Sequence, residues 1–141
     1  MSITVFLTDK HEKMRTLLRI LLETQPDFVV VGEATDGLSA AGAIANSHPD
    51  IVVLDLVLPV RRSLEAAQRI STLCPSARVI LLGLCLNGGD VRQALEVGVR
   101  GFVLKEAAGN ELIEAIRTLS AGECYLSRKL VEYGVEPLPL K

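Results

Sequence analysis

The chain alternates short apolar runs with stretches in which apolar residues return every three or four positions. ITVFLT (3–8) is a β-type run. Behind it Met14, Leu17, Leu18, Leu21 and Leu22 recur at helical spacing. That helix must stop before Pro26, since the residue ahead of a proline is pushed out of helical geometry. FVVVGE (28–33) reads as a second strand, and Leu38, Ala41, Ile44 and Ala45 mark a second helix ended by the turn-like SHPD. IVVLD (51–55) is apolar on both faces, which places it in the middle of a sheet. A helix over 64–73, a strand over 77–82, a helix from Asp90 to Val97, a strand over 101–104 and a helix over 111–120 complete the series. Five strand–helix units in succession predict a parallel α/β sheet. After Gly122 the pattern weakens. CYLSRKLVEYG predicts one more short helix, and VEPLPLK (135–141), with two prolines that cannot continue a helix, reads as the start of a linker. The expected division is a domain over 1–122 and an extension over 123–141.

Composition adds three constraints. The 141 residues suit one domain with a proper core, and aromatic residues are only 4%, so aliphatic side chains must fill it. The formal charge of -2 gives no support for nucleic-acid binding by this segment. The N-terminal MSITVFLTDK lacks the basic and apolar regions of a secretion signal, and no apolar run approaches the roughly 20 residues needed to cross a bilayer. Cys74, Cys85 and Cys124 are an odd set without CxxC spacing, which fits structural thiols in a reducing cytosol. A cytoplasmic protein without membrane contact is expected.

In open parallel sheets, function gathers at the carboxyl ends of the strands. Strand one delivers Asp9 and Lys10 there, strand three Asp55, strand four Gly83 and strand five Lys105. A single strand-end Asp is often a helix cap. Two acids and a lysine at the ends of three different strands point instead to one shared crevice. Asn87-Gly88-Gly89-Asp90 invites a phosphate-loop reading, but it lacks the lysine and spacing of that motif and reads better as a loop capped into a helix.

In its order of motifs the chain resembles the response-regulator receiver family, particularly the LuxR/NarL-type branch. TDKHEKMRTLLRILLE is similar to that branch's first loop and helix, PDFVVVGEATDG to its second strand and turn, and HPDIVVLDLVLP to its acceptor strand and following loop. ALEVGVRGFVLKEA and AGECYLS are similar to its last strand and C-terminal edge. The resemblance covers residues 3 to about 127. It implies a flavodoxin-like (βα)5 doubly wound sandwich with a five-stranded parallel sheet in the order 2-1-3-4-5. It further implies phosphorylation of Asp55 by a sensor histidine kinase, Mg²⁺ held by Asp9, Asp55 and the backbone carbonyl of Val57, and Lys105 paired with phosphoryl oxygens. Phe102 takes the place of the aromatic that changes rotamer on activation, or else is an ordinary core residue. A homodimer is implied, with DNA contacted only through a C-terminal helix-turn-helix domain that this segment does not contain. No catalysis is expected beyond self-phosphorylation and slow self-dephosphorylation. His11 matches a common histidine at the helix start, and His48 carries no assigned role.

Two positions depart from the family pattern. Lys10 stands where a second acid is expected, and Gly83 where Thr or Ser is expected. Two carboxylates then face two ammonium groups, with no net charge to attract a divalent cation. Unit charges about 4 Å apart interact by roughly 4 kcal/mol at an effective dielectric near 20, so the exchange is not minor. Lys10 either occupies the place of the metal or turns outward, and either way Mg²⁺ should bind weakly or not at all. Gly83 removes a hydroxyl that would bond a phosphoryl oxygen, and Ser63 or the amides around Leu84 are the available substitutes. Val60-Arg61-Arg62-Ser63 replaces the usual small loop. Arg61 and Arg62 are either phosphate contacts or solvated charges. An atypical receiver acting by dimerisation or protein contact is therefore the alternative to phosphorylation. A flavodoxin-like enzyme lacks its aromatic and hydroxyl loops here, and a strand-end-Asp phosphatase would want an acid at Val57.

Overall fold

A computed structural model describes residues 2–57, 59–84, 86–132 and 134. The strands are β1 (Ile3–Thr8), β2 (Phe28–Ala34), β3 (Ile51–Asp55), β4 (Arg78–Gly83), β5 (Val99–Leu104) and β6 (Tyr125–Leu126). The α-helices are α1 (Glu12–Glu23), α2 (Gly37–Ser47), α3 (Val60–Leu73), α4 (Gly88–Glu96), α5 (Ala108–Ser120) and α6 (Arg128–Glu132). All strand pairs are parallel, in the order β2-β1-β3-β4-β5-β6. β3 lies inside the sheet and every residue of it is buried, as its unbroken apolar run requires.

Alternation along the strands builds two cores. Val5, Leu7, Ile51, Val53, Ile80, Leu82 and Val103 face α1 and α5, meeting Leu18, Leu22, Leu112 and Ile116. Phe6, Val52, Leu54, Val79, Leu81 and Phe102 face the other way, onto α2, α3 and α4. Those helices present mainly small residues, among them Ala40, Ala41, Ala66, Ala67 and Ala94. Helices thus cover both faces of the sheet, and functional side chains are left to its carboxyl edge.

The expected five-stranded sheet needs one correction. Tyr125 and Leu126 form a sixth strand, paired with Gly101 and Phe102, and the Ser127 amide continues the ladder to the Phe102 carbonyl at 2.8 Å. The open edge of β5 offered unpaired backbone groups, and a two-residue extended segment was enough to satisfy them. The expected short helix follows directly as α6. The linker reading of VEPLPLK falls on residues outside the described ones, as does that of Cys85. Cys74 is buried and Cys124 partly exposed, both as free thiols.

Side chains reinforce this added edge. Glu111 on α5 is buried and accepts from the Ser127 hydroxyl at 2.6 Å and the Tyr125 hydroxyl at 3.1 Å. The Ser127 hydroxyl also accepts from the Leu104 amide at 3.4 Å. Burial, together with the nearby Glu111 and Glu114 carboxylates, holds the Tyr125 phenol well above its ordinary value, so it stays a donor throughout the accessible pH range. Ser127→Ala should cost about 1–3 kcal/mol of folding stability, because it strips a buried carboxylate of its shortest donor. Tyr125→Phe should cost about 1 kcal/mol. Urea unfolding of the two variants checks both values.

Candidate functional site

β1, β3 and β5 end side by side in parallel, with β4 between the last two. Their carboxyl ends present Asp9, Asp55 and Lys105 to a common point. Asp9 is fully buried and Asp55 is 6% exposed. The Lys105 ammonium lies 2.9 Å from Asp55 Oδ1 and 3.1 Å from Asp9 Oδ2, so one cation bridges both carboxylates. Neither of those two oxygens receives a well-directed hydrogen bond, and the contacts are held by charge.

The backbone around this point is pinned by groups that sequence reasoning passed over. The Thr8 hydroxyl donates to the Val53 carbonyl and accepts from the Asp55 amide, each at 3.1 Å, locking the ends of β1 and β3 together. The His11 amide donates to Asp9 Oδ1 at 2.8 Å, and Arg15 donates to the Asp9 carbonyl at 2.6 Å. A buried Thr one residue before a strand-end acid was the available sequence signal for the first of these. Its significance depends on a neighbour 45 residues away.

The remaining expected site residues divide clearly. Lys10 is exposed, so of its two expected orientations the outward one is found. Val57 exchanges hydrogen bonds with Ser63: its amide donates to the hydroxyl at 2.8 Å, and the hydroxyl donates back to its carbonyl at 3.3 Å. Ser63 is thereby engaged and buried, and is no free substitute for a missing hydroxyl. Val60, Arg61, Arg62 and Ser63 are not a loop but the first turn of α3. Pro59, at φ -72, ends the preceding segment and sets the start of that helix. Arg61 and Arg62 are exposed on this turn. Phe102 is fully buried within the core shared with α4. Gly83 ends β4, and the Leu56 side chain lies against it. His11 is the residue before α1 and stands 3.4 Å from Asp9, whereas His48 closes α2 in a left-handed conformation at φ 49. Asn87 and Asp90 form a reciprocal cap at the start of α4, as their spacing predicted.

Electrostatics follow from burial. Removal from water pushes the Asp55 carboxyl above its ordinary value; Lys105 opposes that shift and the Asp9 charge adds to it. Burial pulls the Lys105 ammonium down, but Asp55 and Asp9 more than compensate and hold it above its ordinary value. Lys105 therefore remains charged while its two partners compete for it. The cluster offers a hard cation two buried carboxylates, Asp9 and Asp55, while the Val57 carbonyl accepts from the Ser63 hydroxyl. Among the described residues, no three His, Cys, Asp or Glu side chains converge to hold a metal.

Because the folded state holds the Asp55 proton more tightly than the unfolded chain, this group costs stability as pH rises from 3.8 through the raised folded value. Below 3.8 the cost vanishes, and above the folded value it is fully present. Asp55→Asn should therefore raise the melting temperature by a few degrees at pH 7, and the gain should shrink as the pH is lowered toward 4. Lys105→Met should do the opposite, costing about 3 kcal/mol at pH 7 by leaving two buried carboxylates uncompensated. Thermal unfolding across the pH range checks both.

The family model for the response regulator receiver domain matches residues 5–117. The chain is 34% identical over 128 residues to the transcriptional regulatory protein LiaR of Bacillus subtilis (strain 168), covering 91% of this chain and 61% of that protein. It is 32% identical over 127 residues to the nitrate/nitrite response regulator protein NarL of Escherichia coli (strain K12), covering 90% of this chain and 59% of the relative. It thus spans about three-fifths of the length of these curated relatives. Among solved structures, a two-component response regulator of the LuxR family from Aurantimonas sp. SI85-9A1 superposes with a TM-score of 0.86 at 31% identity, over 94% of each chain. With the parallel sheet and the acid–lysine cluster at its carboxyl edge, these matches identify the chain as a receiver domain of the NarL/LuxR-type response-regulator family.

Proposed function

We propose that this receiver accepts a phosphoryl group on Asp55 and passes the change to an output domain beyond the segment described. The observation that carries the reading is the convergence of Asp9, Asp55 and Lys105, from three separate strands, within 3.1 Å of one ammonium. In the reaction an Asp55 carboxylate oxygen forms a bond to phosphorus. The bond from phosphorus to the donor's oxygen or nitrogen breaks, and the leaving group departs with that electron pair. Lys105 is the phosphoryl-binding residue, its ammonium stabilising negative charge on the transferring oxygens. Asp9 keeps that ammonium in place.

Receiver domains generally bind Mg²⁺ at the phosphorylation site, where it neutralises charge on the transferring group. Asp9, Asp55 and the Val57 carbonyl would hold it in this chain. The site is weaker than the usual one, because Lys10 removes an acid and contributes a nearby positive charge. The donors are a sensor histidine kinase and small acyl phosphates. The receiver occupies 1–122, and 123–141 lead toward a DNA-binding output domain, with Tyr125–Glu132 packed back on the sheet. A homodimer in the cytoplasm is part of the same reading, as is Phe102 in the role of switch aromatic.

One observation favours the second reading, an atypical receiver working through protein contact with little dependence on phosphate. Gly83 offers no side-chain hydroxyl at the end of β4, and its neighbour there is the apolar Leu56.

Incubation with acetyl phosphate and Mg²⁺ followed by intact-mass measurement separates the two. A labile phosphoryl adduct, abolished by Asp55→Asn, is expected. Its absence at every Mg²⁺ concentration would favour the phosphate-independent reading. Lys10→Asp should strengthen Mg²⁺ binding by about tenfold, or roughly 1.4 kcal/mol, measured by titration. An unchanged affinity would show that charge at this position does not govern the cation.

A further inference from the structure

Asp9 has all of its polar atoms committed, and both peptide groups that flank it are held from the end of β2. Its amide donates to the Ala34 carbonyl at 3.0 Å, and its own carbonyl accepts from the Arg15 guanidinium at 2.6 Å. Its Oδ1 accepts from the His11 amide at 2.8 Å, and its Oδ2 faces the Lys105 ammonium at 3.1 Å. Glu33, the residue before Ala34, braces the guanidinium from the other side. It stands 3.5 Å from Arg15 Nε and also pairs with Arg19 at 3.2 Å. The Arg15 side chain is only 16% exposed, and its buried Nε makes no hydrogen bond among the described residues. A guanidinium withdrawn from water with one N–H unsatisfied costs free energy, so stability alone does not account for it. What this clamp fixes is the direction of a peptide. In a trans peptide the carbonyl of one residue and the N–H of the next point to opposite sides. With the Asp9 carbonyl drawn to Arg15 on α1, the Lys10 N–H is turned the other way. Burial pushes the Asp55 carboxyl up, and the Lys10 backbone amide is among the groups that pull it back. The side chain of Lys10 faces solvent while its amide serves the pocket.

We propose that Arg15, braced by Glu33, is a positioning residue of the Asp55 site: it holds the Asp9–Lys10 peptide so that the Lys10 N–H is presented to the acceptor carboxylate. The reverse orientation would turn a carbonyl oxygen toward a pocket that already holds two carboxylates, and would repel them. Held as it is, the peptide keeps a fixed donor beside the oxygens on which negative charge gathers when a phosphoryl group arrives. The proposal rests on Asp55 being the phospho-acceptor. Arg15 touches no reacting atom. It acts through the backbone of the loop that it grips.

Labelling with acetyl phosphate and Mg²⁺, read by intact mass well below each melting temperature, is compared for the unaltered chain, Arg15→Met, Arg15→Lys and Glu33→Gln. Arg15→Met should label about tenfold more slowly. Arg15→Lys keeps a cationic donor to the Asp9 carbonyl and should recover most of that loss. Glu33→Gln loosens the brace and should slow labelling by about threefold. A folded Arg15→Met that labels at the unaltered rate overturns the proposal, even where it melts lower. Should that variant not fold, a Glu33→Gln chain labelling at the unaltered rate does the same. A second measurement needs no label. In ¹⁵N-enriched protein the Lys10 amide resonance should follow the titration of Asp55, lose that response in Asp55→Asn, and respond less in Glu33→Gln. A Lys10 resonance that answers equally in the unaltered chain and in Asp55→Asn overturns the proposal. If the resonance behaves as expected but no chain takes label at any Mg²⁺ concentration, the phospho-acceptor reading fails and the Arg15-held peptide stands.

Discussion

The carboxyl edge of this sheet depends on one ammonium group serving two buried carboxylates. Asp9 and Asp55 are almost removed from water, and two like charges so placed repel each other strongly in a medium of low polarity. Lys105, within 3.1 Å of both, is what makes the arrangement tolerable. It leaves the pair one positive charge short; burial raises the Asp55 carboxyl, Lys105 opposes that shift and the Asp9 charge adds to it. A site with an unbalanced buried negative charge gains by taking up a further cation or a proton.

The scaffold holds that cluster with groups of ordinary kind. Thr8 ties the ends of β1 and β3, the His11 amide and Arg15 hold the Asp9 loop, and Ser63 ties the first turn of α3 to Val57. Each bond satisfies a buried backbone group that would otherwise be exposed by the strands ending there. On the far side, β6 and the Glu111–Ser127–Tyr125 cluster bind the C-terminal extension to β5 through the amide of Leu104, the residue before Lys105. The segment Tyr125–Ser127 is therefore attached to the same strand that delivers the ammonium.

Both departures from the family pattern have structural consequences, of different kinds. Lys10 is exposed, so its ammonium does not fill the place of the missing acid. Gly83 leaves no side-chain hydroxyl at the end of β4, and the Leu56 side chain lies against it.

Periodicity by itself determined the order of strands and helices, the central place of IVVLD and the set of strand-end residues. These follow from local spacing, and a period of two or 3.6 residues is written directly in the sequence. The cap at Asn87 and Asp90 was legible for the same reason. Tertiary structure alone decided that Tyr125 and Leu126 complete the sheet, because an edge strand needs a partner that only three-dimensional proximity identifies. It also decided that Val60–Ser63 open α3, that Lys10 turns outward, and that Ser63 is engaged. The meeting of Asp9, Asp55 and Lys105 was inferred from strand ends, but distances of about 3 Å exist only once β1, β3 and β5 are laid side by side. Charge and packing at such a point are sums over residues far apart in the chain, and no local pattern encodes them.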